Sequence, residues 1–224
     1  MGIPLPEDPA DTASQLPPLI ESSSLLGIPD LINVLKSITY YKSLPGKDIH
    51  SGIYYCTPDD LVFARGKAVV YAKGNARVEA RQNAVIYLSE NANCIAFDTA
   101  RVFATGDSIG ILFGKAQGSV KGSAEFWCHE QSQVTAWNGY LHLYDKSHAF
   151  VSHSAVNAYD DSTISLLAHS VIQASGRVVI RQGPFVDTSD VVCSQDATLI
   201  GSVRLGDGTK KNFGSFLPKP TSGT

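Results

Sequence analysis

The sequence predicts an all-β fold: a two-sided β-solenoid (β-helix) of short strands, with three sides as the alternative, and an N-terminal capping helix. Three observations predict it. Small residues recur every eight positions, at Ala68, Ala76, Ala84, Ala92, Ala100, Ser108, Ala116, Ala124 and Ser132, and an internal repeat of this kind decides the fold before any motif does. Two residues after each stands a second inward candidate (Val70, Val78, Ile86, Cys94, Val102, Gly110, Gly118, Phe126, Val134), then a third such as Ala72, Ala80 or Leu88. Alternation with a period of two marks a strand with one buried face. Turn residues separate the strands, as in Lys73-Gly74-Asn75, Thr105-Gly106-Asp107 and Lys121-Gly122-Ser123.

In chain order, residues 1–18 carry five prolines among Asp, Ser and Thr, a composition that buries too little apolar surface to offset ordering entropy, and they read as a flexible arm. Residues 19–60 read as a helical N-terminal cap. Within them Ile28 to Ile38 places apolar residues at helical spacing, with Pro29 suited to a first turn. Residues 61–205 form the solenoid. After Ser132 its spacing shortens in alternate steps through Gly139, Ser147, Ser154, Ser162 and Ser170. So many small inward residues require a thin core, which two β faces pressed together provide and a barrel does not. Val191 to Cys193 and Thr198 to Leu205 read as irregular final strands, and 206–224 as a polar tail.

A formal charge of -3 and a pI of about 6.0 supply no basic footprint for nucleic acid or an anionic membrane. No run approaches the roughly 18 apolar residues of a membrane span, and no secretion signal is visible; a cytoplasmic or virion-associated protein is expected. Cys56, Cys94, Cys128 and Cys193 form no C-x-x-C pair, and Cys94 and Cys128 point inward, as buried free thiols do. No nucleotide, protease or hydrolase fingerprint is present, and no cofactor is expected.

The unit A-x-V-x-A followed by a Gly, Asn or Asp turn, as in Ala76-Arg77-Val78-Glu79-Ala80, covers roughly residues 68–176. It resembles the octapeptide-repeat solenoids of bacteria and phages. The resemblance implies an architecture and carries no catalytic residues.

Equivalent residues of successive coils stack about 4.8 Å apart, which makes columns predictable. With two strands per coil, Glu130, Asp145 and Asp160 share a turn column, beside His129, Tyr144 and Tyr159. Carboxylates so spaced are weak candidates for a cation site or an acid and nucleophile pair; as turn residues they are equally at home in water. Asn138, His153 and His169 form a similar column on the other edge, a poor site for a transition metal because exposed turns supply only two imidazoles.

Outward positions carry more information. One face presents Val69, Tyr71, Val85, Tyr87 and Phe103, with Arg101 among them; the other presents Ile95, Ile109, Ile111, Trp127 and Tyr140. Exposed apolar columns of this kind mark surfaces that something covers. The expected function is therefore a non-catalytic interaction rod that docks to itself or to a protein partner. A polysaccharide-acting enzyme or cation-binding protein using the acidic column is the alternative, disfavoured because loops of two or three residues build no cleft. An ice, glycan or mineral surface would require identical outward residues in every coil, which the sequence lacks.

Overall fold

Alternating inward and outward side chains commit each short segment to a strand, and a tight turn returns the chain for the next. The computed structural model describes residues 46–183, 190–193, 197–205 and 210–213. They form a parallel β-solenoid of about nine turns with a repeat of about 16 residues. The helix expected near residues 29–40 lies outside the described residues; among those described there is no helix. The helical cap expected to run to residue 60 gives way to β1 (Lys47–Tyr55). Its Ile53-Tyr54-Tyr55 run has the β-branched and aromatic character of a strand, and β1 pairs in parallel with β2 (Leu61–Ala72), with one bulge between Ile49 and Ser51.

Beyond β2 one face is built from β3 (Arg77–Ala80), β5 (Asn93–Ala96), β7 (Ile109–Leu112), β9 (Glu125–Cys128), β11 (Tyr140–Leu143), β13 (Ala155–Ala158) and β15 (Val171–Ala174). The other is built from β4 (Val85–Leu88), β6 (Arg101–Ala104), β8 (Gln117–Lys121), β10 (Gln133–Trp137), β12 (His148–Ser152), β14 (Thr163–Leu166) and β16 (Val179–Gln182). Each of these strands pairs in parallel with the second one along, so a coil has two strands and the three-sided alternative is set aside. The coil shortens by one residue where Leu141 pairs with Phe126 and Val156 with Leu141. At the C-terminal end β17 (Asp190–Cys193) and β18 (Thr198–Leu205) continue the parallel ladders, and β19 (Lys210–Phe213), in the stretch expected as polar tail, pairs antiparallel with β18.

The core is the thin space between the two faces. Ala76, Val78, Ala80, Ala84 and Ile86 are fully buried there, as are their counterparts along the rod. One large ring fits because two neighbours have no side chain: a Cβ at Gly110 would lie 2.3 Å from the Phe126 ring, and one at Gly118 2.2 Å from its other edge. At one inner corner Ser132, Ser147 and Ser162 take the place that Ala84, Ala100 and Ala116 hold earlier, and among the described residues the buried hydroxyls of Ser147 and Ser162 have no hydrogen-bond partner. A buried hydroxyl without a partner is unfavourable. Ser147→Ala is therefore expected to raise stability by about 1 kcal/mol, read as a higher midpoint in urea unfolding; a lowered midpoint would mean that the hydroxyl is bonded in solution.

Candidate functional site

Most turns place one residue in the left-handed region, and along one edge these are Gln82, Asp98, Glu130, Asp145 and Asp160, with Gly66, Gly114 and Gly176 in the same series. Side chains with a Cβ pay for this conformation, and here the same side chains return a hydrogen bond. Glu130 Oε2 accepts from the Gly114 N–H at 2.7 Å, Asp145 Oδ2 from Glu130 N–H at 3.0 Å, and Asp160 Oδ2 from Asp145 N–H at 3.2 Å. Gln82 does the same for Gly66, Asp98 for Gln82 and, on the opposite edge, Glu90 for Gly74.

The carboxylates considered as a cation or catalytic column thus act as a staple between coils, a role legible only once the left-handed turns are known. The hydrogen bond with His129 is the main cause that holds the Asp145 carboxyl below the usual range; burial opposes it and the Glu130 N–H adds to it. Among the described residues no group of three His, Cys, Asp or Glu side chains could hold a metal ion, on this edge or around Asn138, His153 and His169.

The outward column of β5, β7 and β9 is not the open surface that the sequence suggests. Ile95 is 1% exposed, Ile111 0% and Trp127 6%. They form a second apolar cluster with Phe97, Phe113 and Tyr144, against which Ile109 and Tyr159 pack. The turn residues Phe97, Phe113, His129, Tyr144 and Tyr159 stack into a ladder with ring centroids 4.7–5.4 Å apart. The column is headed by Glu79, paired with Arg81 at 2.8 Å, and the Arg81 guanidinium lies over Phe97. The sequence contains this signal, since Phe97 and Phe113 stand two places beyond Ile95 and Ile111 and point the same way.

The other face keeps its aromatic column in the open. Tyr55, Tyr71, Tyr87 and Phe103 stack along the rod with centroids 4.7–5.0 Å apart and planes within 14° of parallel. Tyr55 is 69% exposed, and Tyr71, Tyr87 and Phe103 are each 37% exposed. Val69 and Val85 lie half-buried beside them. A groove follows the ladder, lined also by Thr57, Lys73, Ser89 and Thr105.

Compared with protein-family models, with curated proteins and with solved structures, the chain finds no match in any of the three. The likeness to octapeptide-repeat solenoids therefore stays one of architecture, a β-solenoid without a family assignment.

Tyr140 is exposed, as expected, and shares its tight turn with exposed Trp137, which together with Leu167 and Val171 was not anticipated as surface. Cys56, Cys94 and Cys128 are buried free thiols, and burial pushes Cys56 up to about 12 and the other two higher still, so none is a ready nucleophile. At the N-terminal coil Lys47 and Tyr54 converge on Asp60. Burial works against the Asp60 charge, but hydrogen bonds from Lys47, Thr57 and Tyr54 outweigh it and hold the carboxyl at about 2. The cluster fastens β1 to the turn that enters β2.

Proposed function

We propose that the chain is a non-catalytic interaction protein, a stiff rod that docks to a second copy, or to a protein partner with a matching apolar strip, through the aromatic ladder Tyr55–Tyr71–Tyr87–Phe103. The observation that carries the reading is the exposure of four stacked rings on a flat face, with Val69 and Val85 alongside. Stacked rings are held rigid by their neighbours, so little side-chain entropy is lost when a partner covers them, and aromatic residues are the commonest anchors of protein interfaces. The carboxylate column supports a structural role in the same way, since its oxygens already accept backbone N–H groups.

Tyr71→Thr with Tyr87→Thr removes the centre of the ladder and keeps residues suited to strands. Sedimentation of the wild-type chain is expected to give a mass above one chain in the tens of micromolar, falling to one chain in the double variant with its melting temperature little changed. A wild-type chain that stays single at its highest soluble concentration, with Tyr71 and Tyr87 fluorescence that no partner protein alters, would remove the reading.

A further inference from the structure

We propose that a second groove, separate from the aromatic ladder, binds an acidic polysaccharide laid along the rod. Lys115, Gln131 and Lys146 succeed one another in the turn column, one per coil, tied in register by backbone hydrogen bonds to Asp98, Gly114 and Glu130. Beside them Gln117, Gln133 and His148 head β8, β10 and β12 and are paired residue for residue. Together with Arg181, Thr99 and Thr163 they line a groove of about 620 Å³. Lys115, Lys146 and Arg181 are exposed and make no ion pair among the described residues.

No carboxylate lines the groove, and strands β4, β6, β8, β10, β12, β14 and β16 contain no Asp or Glu. Lys115, Gln131 and Lys146 also line the neighbouring groove with Glu130, Asp145, Asp160 and Asp161, of which Glu130, Asp145 and Asp160 each accept a backbone N–H of the coil before. On the next coils of the turn column Asp161 and Arg177 pair with each other at 2.7 Å, which ends the run of free cations. The groove's own lining thus holds three cations, Lys115, Lys146 and Arg181, and no carboxylate, on a chain whose net charge is -3.

The spacing of the charges selects the ligand. Lys115 and Lys146 are two coils apart, about 10 Å along the axis, with the neutral amide of Gln131 between them. That alternation fits a polymer with a carboxylate on every second unit and hydroxyl or amide groups on the rest, as in an alternating uronic-acid glycan. Nucleic acid carries a charge on every nucleotide and is held in single-stranded form by aromatic platforms; no Phe, Tyr or Trp lines this groove, whose single ring is the half-buried His148. The exposed amides of Gln117, Gln131 and Gln133 both donate and accept, which suits a hydroxyl-rich ligand.

The test is calorimetric titration of the full chain at low ionic strength with a hyaluronan octasaccharide, a chitin oligosaccharide of equal length as the neutral probe, single-stranded DNA and polyglutamate. Hyaluronan is expected to bind and the chitin probe not to. Lys115→Gln with Lys146→Gln should weaken binding by about ten-fold, the sum of two exposed charge contacts, at an unchanged melting temperature, while Tyr71→Thr with Tyr87→Thr leaves it intact. Absence of hyaluronan binding, equal binding of the neutral probe, tighter binding of DNA or polyglutamate, or indifference to the lysine pair would each overturn the proposal. None of these results depends on the oligomeric state that tests the aromatic ladder.

Discussion

Phe126→Ala is expected to lower stability by about 3–5 kcal/mol, the cost of removing a fully buried ring from a close-packed interior. In most coils the inner positions hold Ala and Val, and the faces approach until those side chains touch. At Phe126 the space comes from Gly110 and Gly118, whose missing side chains leave room for the ring, so the vacated volume has no side chain able to fill it. Gly118→Ala alone should cost about 1–3 kcal/mol by overpacking, since its Cβ would meet the ring.

The decisive measurement is the combination. In Phe126→Leu with Gly118→Ala the added methyl occupies space the ring gave up, and the double variant is expected to be more stable than the sum of its single variants by about 0.5–3 kcal/mol. Thermal or urea unfolding of the four proteins supplies the cycle. Simple additivity would show that the glycines are not there to admit the ring.

Asp145→Ala is expected to cost about 2–3 kcal/mol, combining a left-handed residue without local support and a lost hydrogen bond to the Glu130 N–H. Asp145→Asn keeps an acceptor and tolerates the left-handed turn, and should lose no more than about 1 kcal/mol. The sign of the pH dependence follows from the carboxyl, which is held below its ordinary value in the folded chain. Its contribution is present above the unfolded value of about 3.9 and is lost as the pH falls from there through the folded value. The gap in melting temperature between wild type and Asp145→Asn should therefore close on acidification. Calcium is expected to leave the wild-type melting temperature unmoved. A calcium-dependent rise that disappears in Asp145→Asn would restore the cation site.

How much of this was legible beforehand differs from residue to residue. Ala76, Val78 and Ala80 announce a buried strand face because inward positions tolerate only small or β-branched side chains and the chain must alternate. Glu130, Asp145 and Asp160 could be placed in one column, since stacking follows from counting residues. What those carboxylates do could not be read, because it depends on a left-handed backbone at Glu130 and Asp145 that Glu, unlike Gly or Asn, does not advertise. Ile95, Ile111 and Trp127 point outward as the alternation requires. Pointing outward did not make them exposed: a ladder of turn aromatics continues the same side of the strand, and the residues that look like turn punctuation became part of a second apolar cluster.

The sequence by itself determined the repeat, the strand positions, the inward and outward faces and the vertical columns, because these follow from the period of two along a strand and the near-constant length of a coil. Only the tertiary structure decided that a coil has two strands, that Lys47–Tyr55 belongs to the solenoid, and which outward column is buried and which is open. Those outcomes depend on contacts between residues far apart in the chain, and no local period encodes them.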